Sequence, residues 1–205
     1  MTKQEKLNYI FRAIKKAHPK RKLVFCDGST DAKIMIIGEA PGKDEEIQGK
    51  PFVGRAGKLL NATLEKLGWQ RSDFYVSNIV KYRPQDARGG TLTPTDEEIA
   101  KFRPAIEKEI EVVNPRLIVV LGRIAMLGMG IDGTMAANHG KVLHPPPFLK
   151  NGTSHYAKAS RDKSDGQEKM RPKILITYHP AAILRNINWE STFREDLEKI
   201  RELIG

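Results

Sequence analysis

The amino-acid sequence predicts an α/β domain, a parallel sheet buried between helices. Two observations predict it. Four short apolar runs rich in β-branched residues occur at 33–38 (KIMIIG), 74–80 (FYVSNIV), 116–121 (RLIVVL) and 173–178 (KILITY), as expected of strands covered on both faces. Between them the apolar spacing becomes helical, and strands alternating with helices imply right-handed crossovers and a sheet covered on both sides.

Taken in order, residues 3–17 form the first helical segment. Residues 55–67 carry Ala56, Leu59, Leu60, Leu64 and Leu67 at helical spacing and stop at Gly68, a residue suited to a helix C-terminus. Residues 95–113 begin with Thr95 and Glu98 in capping-box spacing and end before Pro115. A short helix is expected at 123–129 and a terminal one at 191–204. Residues 139–172, rich in Pro, Gly and charge, break the pattern and are expected to form a long mobile insertion before the last strand. There is no internal repeat. A chain of 205 residues suffices for one good core and is short for two, so a single domain over 1–205 is expected.

Composition narrows the function classes. Hydrophobic residues make up 40% and charged ones 29%, as in a soluble globular protein. No apolar run approaches the ~20 residues that cross a bilayer, and the first residues lack the apolar core of a signal peptide. These features point to a cytoplasmic protein. The single cysteine, Cys26, excludes an internal disulfide and any metal centre built from several thiolates of this chain. The net charge of +10 is uneven: residues 1–23 hold eight Lys/Arg against Glu5, and residues 139–173 hold eight against three acids. Two basic segments around a nearly neutral body suggest phosphate contacts at the periphery; a merely lysine-rich surface is the plain alternative.

In parallel sheets ligands sit beyond the carboxyl ends of the strands, and the unusual residues gather there. GEAPG (38–42) ends the first run; its glycines permit close approach and expose backbone N–H groups, without the spacing of a phosphate-binding P-loop. GKPFVGRAG (49–57) sets Phe52 among three glycines, either to stack on a planar ligand or to pin the loop to the sheet. Asn78, among apolar residues, either satisfies local backbone or presents its carboxamide to a ligand. HPAAILRN (179–186) follows the last run. His179 is a structural histidine or a donor at the sheet edge, and Leu184 beside Arg185 pairs an apolar wedge with a cation, a combination suited to a base stack.

In this order the motifs GEAPG-KDEEIQ-GKPFVGRAG-KLL, SNIVKYRP, P-RLIVVLG and HPAAILRN resemble the uracil-DNA glycosylase superfamily, and most of all its family 4. The resemblance runs from about residue 32 to 186, apart from the insertion. It implies a three-layer α/β/α sandwich around a four-stranded parallel sheet. Matching positions imply roles: Glu39, Ala40 and Gly42 line the base pocket and offer backbone donors, Phe52 stacks on uracil, and Asn78 reads its edge. His179 bonds the C2 oxygen, Glu45 helps position the attacking water, and Leu184 with Arg185 holds the gap left by a flipped nucleotide. Ala40 stands where some relatives carry a water-activating Asp, which argues against a strong general base.

The resemblance fails at one feature. Family members bind a four-iron, four-sulfur cluster with four cysteines; here the N-terminal pair is absent and the other two positions read Tyr82 and Phe102. An aromatic cluster is expected in place of the metal site. The expected activity is a monofunctional glycosylase acting as a monomer on uracil-containing DNA, without metal or organic cofactor. The alternatives are a DNA-binding protein that recognises the base without cutting, or a glycosylase for another deaminated base such as hypoxanthine.

Overall fold

The computed structural model describes residues 1–144 and 172–205. Helix α1 (Lys3–Ala17) leads through β1 (Asp27–Gly28) to β2 (Ile34–Gly38), followed by α2 (Lys43–Gln48) and α3 (Arg55–Lys66). Next come β3 (Phe74–Asn78), α4 (Asp96–Val113), β4 (Leu117–Leu121), α5 (Gly122–Gly128), α6 (Met135–Asn138) and β5 (Val142–Leu143). After β6 (Lys173–Thr177) the chain closes with α7 (Pro180–Arg185), α8 (Glu190–Glu198) and α9 (Ile200–Ile204).

The sheet order is β1-β3-β2-β4-β6-β5. The four predicted runs form its parallel middle, β3-β2-β4-β6. Among the described residues the expected four-stranded parallel sheet is therefore corrected to a six-stranded mixed one, since β1 and β5 add antiparallel edges. Two-residue strands leave no periodicity to read. Strand β5 also shortens the expected insertion, because Val142 and Leu143 pair with Leu175 and Ile174. Residues 145–171 of that insertion lie outside the described residues.

Side-chain alternation along the strands divides the core in two. Met35, Ile37, Tyr75, Ile118, Val120, Ile174 and Ile176 face a cluster with Leu7, Phe11 and Ile14 of α1, Phe102, Ile106 and Ile110 of α4, and Ile124 and Ala125 of α5. Ile34, Ile36, Phe74, Val76, Leu117, Val119 and Leu175 face the other, with Leu60 and Leu64 of α3, Ile183 of α7, Phe193 and Leu197 of α8, and Ile200 of α9. Helix α4 opens with the predicted capping box, Thr95 and Glu98 satisfying each other's backbone N–H groups. The expected helix over 191–204 is two helices meeting at Lys199.

The basic segment 1–23 does not act as one unit. Lys3 donates to the carbonyls of Thr30 and Val113 and pairs with Asp31, residues that precede strands and so lie at the amino edge of the sheet. Lys20, Arg21 and Lys22 border a depression of about 440 Å³ with Glu46, Tyr82 and Arg83, beside the carboxyl edge. The chain is held there by the Leu23–Tyr82 bridge and by Val24 N donating to the Lys81 carbonyl at 2.7 Å.

Candidate active site

Strand register brings the motifs together. Gly38, the last residue of β2, pairs with Asn78, the last of β3, while β6 ends at Thr177, just before His179. The three ends open onto a cleft of about 530 Å³. Eight of the nine sequence candidates line it: Glu39, Ala40, Gly42, Glu45, Phe52, Asn78, His179 and Arg185. The ninth, Leu184, stands beside Arg185 on α7 with 44% of its surface exposed.

Phe52 pins its loop to the core and also borders the cleft. Its ring joins the core cluster under α3 and is almost wholly buried. Its backbone has φ 57°, a left-handed conformation costly for a side chain of this size and found mainly where function over-determines the fold. Two glycines hold it. A Cβ on Gly57 would meet the Phe52 backbone, with Cα at 2.6 Å, and one on Gly38 would strike the Phe52 ring and the Asn78 Oδ1. Asn78 itself is buried, with its carboxamide oxygen against Gly38 and its side chain on the cleft wall.

Glu45 is a clamp. Its Oε1 accepts from the backbone N–H of Val53 (3.0 Å) and Gly54 (2.7 Å), and its Oε2 from that of Gly42 (3.1 Å). The carboxylate thereby ties the GEAPG turn to the loop carrying Phe52. With both lone pairs of Oε1 engaged, only Oε2 has capacity for one further donor. The expectation that Gly42 offers a backbone donor to a ligand is corrected: its N–H is given to Glu45, and what Gly42 provides is closeness, since a Cβ there would lie 2.7 Å from that same oxygen.

His179 caps helix α7, its Nδ1 accepting from Ala181 N at 3.1 Å. Burial, and then the charge of Arg185, bring its pKa down from 6.5 to about 4. The ring is therefore neutral at physiological pH, and with Nδ1 used as an acceptor the proton resides on Nε2. The imidazole offers one N–H in a pocket whose aromatic wall is the tilted Phe52 ring, 5.9 Å away between centroids. Glu39 is raised above the usual carboxylate range by burial, against the lowering effect of Arg185.

Several contributors escaped sequence reasoning. Gly122 has φ 84° and comes so close to His179 that a Cβ would lie 2.7 Å from the histidine Cβ; its place after an apolar run was the available signal. Thr91, Leu92 and Thr93 form one wall of the cleft. Arg83 braces that loop by donating to Thr91 Oγ1 (2.7 Å) and the Gly89 carbonyl (2.6 Å). Lys43 and Arg55 add cations to the lining, so positive charge reaches the cleft from the nearly neutral body.

A concave site at the carboxyl edge of a parallel sheet, with an aromatic wall, one carboxamide, one neutral imidazole donor and a lining of mixed charge, defines the class: an α/β protein with a cleft suited to a planar, hydrogen-bonding ring. The chain belongs to the uracil DNA glycosylase superfamily, whose family model matches residues 25–202. It is 34% identical to the type-4 uracil-DNA glycosylase of Thermotoga maritima, over 99% of this chain and 97% of that protein. It is also 34% identical to the type-4 enzyme of Archaeoglobus fulgidus, over 87% and 80%, and 35% identical to that of Sulfurisphaera tokodaii, over 86% and 72%.

The iron-sulfur cluster implied by the resemblance to family 4 does not fit these residues. Where two of its ligands would stand, Tyr82 and Phe102 meet edge to face at 5.6 Å between centroids. His18 stacks on Phe102 at 5.0 Å, and the Arg21 guanidinium lies 4.5 Å over the Tyr82 ring. Among the described residues no three His, Cys, Asp or Glu side chains are grouped to hold a metal. The sole thiol, Cys26, is raised by burial to about 11, which disfavours the thiolate that ligation needs.

Proposed function

We propose that this protein excises uracil from DNA, hydrolysing the N-glycosidic bond to leave an abasic site in an uncut strand. The observation that carries the reading is the neutral His179, its Nδ1 taken by the helix cap and its Nε2–H left to donate, in one cleft with Phe52 and Asn78. As the bond from C1′ to N1 breaks, its electron pair passes into the base and charge gathers on the ring oxygens. A fixed donor at O2 stabilises that charge as it develops, at no cost of reorganisation.

The remaining roles follow from position. The base must leave the stack before its bond can be reached. Phe52 stacks on the extruded ring, Asn78 pairs with its edge, and Glu39, Ala40 and Gly42 close the pocket. Water adds to C1′ and the proton it loses neutralises the departing uracil anion, giving free uracil; the free capacity of Glu45 Oε2 suits it to orient that water rather than to act as a strong base. Leu184 enters the vacated stack and Arg185 meets the adjacent phosphate. The reaction needs no metal or organic cofactor. The protein works as a single-domain monomer in the cytoplasm, at the DNA; no helix among the described residues is long and apolar enough to cross a membrane.

The test is incubation of a uracil-containing oligonucleotide followed by analysis before and after alkali. Free uracil, with strand breaks only after alkali, is the expected result. Binding without base release, or breaks without alkali, would refute it.

A further inference from the structure

Directly behind Asn78 lies a buried charge network in which the reading above gives no residue a part. Lys81 and Glu109 have side chains 0% exposed and pair at 2.5 Å between Nζ and Oε1. Lys81 Nζ also donates to Ser77 Oγ at 2.7 Å and to the backbone carbonyl of Asn78 at 2.9 Å. Glu109 Oε2, reaching in from α4, accepts from Ser77 Oγ at 2.8 Å and from the Tyr75 hydroxyl at 2.9 Å. The ammonium thus donates to two oxygens and pairs with a third, while the carboxylate accepts from Ser77 and Tyr75 and pairs with Lys81.

Such a pair is a poor way to gain stability, because desolvation offsets most of its attraction and well-packed apolar residues of similar volume serve as well or better. What it supplies is direction. One ammonium bond ends on the peptide carbonyl of the residue whose carboxamide lines the cleft, while the other two are anchored on β3 and α4. We infer that Lys81, held by Glu109, is a positioning residue that fixes the Asn78 peptide and so aims its carboxamide at the base. Lys81 is itself no nucleophile: it does not line the cleft and is fully enclosed.

The inference rests on the proposed uracil excision, and the test separates the two. Lys81→Met with Glu109→Gln removes both charges at similar volume, so no buried charge is left unpaired. Single-turnover rates and melting curves are compared for wild type, this double variant, Asn78→Ala and the triple variant. A misaimed group costs reactivity, so the double variant should be slower by about tenfold or more with KM within about twofold, whereas in the Asn78→Ala background the same changes should alter the rate by less than about twofold. Equal losses in both backgrounds, or none in either, would overturn the positioning role. A wild type that releases no uracil would instead overturn the proposed function. Should the double variant fail to fold, Glu109→Gln alone is measured in both backgrounds: the same Asn78-dependent loss supports the role and an Asn78-independent one refutes it.

Discussion

Replacing Gly38 by Ala adds one carbon at the most crowded point of the cleft. That carbon would lie 2.5 Å from Asn78 Oδ1 and 2.8 Å from Phe52 Cε2, and closer still to Phe52 Cζ. To regain ordinary contact the carboxamide and the ring must each retreat by roughly 0.5–1 Å. The ring has little room, because the Phe52 backbone rests on Gly57 and its loop is tied to Glu45. Overpacking of this kind costs about 1–3 kcal/mol, a fall in melting temperature of roughly 2–12 °C for a chain of this size. The effect on catalysis is larger, since a displacement near 1 Å of reacting or positioning groups costs about a hundredfold in rate. The assay is single-turnover release of uracil from an end-labelled oligonucleotide, scored by alkaline cleavage, with thermal melting in parallel. A Gly38→Ala rate within about threefold of wild type would refute the claim that these three residues form one rigid wall.

Asn78→Asp should slow uracil release by about tenfold to a hundredfold, because a carboxylate has no NH2 to give the uracil O4 and an unpaired polar site costs ~1–3 kcal/mol; unchanged kinetics on uracil would remove Asn78 from base reading. The pH dependence follows from His179: its folded pKa, about 4, lies below the unfolded 6.5, so its contribution to stability is complete above 6.5 and lost as pH falls toward 4. The melting-temperature difference between wild type and His179→Asn should shift against wild type as pH falls across that interval, and a constant difference would contradict the neutral imidazole. Tyr82→Ala and Phe102→Ala should each lower the melting temperature by roughly 6–20 °C, since truncating a buried aromatic costs about 3–5 kcal/mol. The purified wild type should carry no iron; stoichiometric iron with visible cluster absorption would overturn the aromatic replacement.

The central strands and long helices were legible because each leaves a repeat: continuous apolar residues for buried strands, and helical spacing with a Thr95–Glu98 cap for α4. The candidate residues were legible through motif order, because Phe52 among glycines and Asn78 among apolar neighbours are locally odd. What stayed hidden depends on pairing across the fold. Nothing around Val142 announces that it will pair with Leu175. The commitment of Gly42 N–H to Glu45 is a contact of a short helix too brief to show periodicity. Lys81 reads as one more surface lysine in a basic chain, and only the approach of α4 to β3 makes it buried. The basic segment divides for a related reason: charge adds up along the sequence, but Lys3 and Lys20 end at opposite edges of the sheet.

The cap that His179 places on α7 joins two tasks in one rigid piece. The bond from Ala181 N settles the imidazole, and the same helix carries Leu184 and Arg185 in its last turn. From His179 to Arg185 the axial rise is about 9 Å, so the proposed base donor and the proposed stack-filling wedge sit at the two ends of one short helix. A nucleotide that enters the cleft while the helix stays clear of the stack leaves the donor misplaced; a wedge that enters without a base has nothing to bond. Under the proposed roles, extrusion and chemistry would share one position of this helix, and a hinge inserted within α7 would be expected to uncouple searching from cutting.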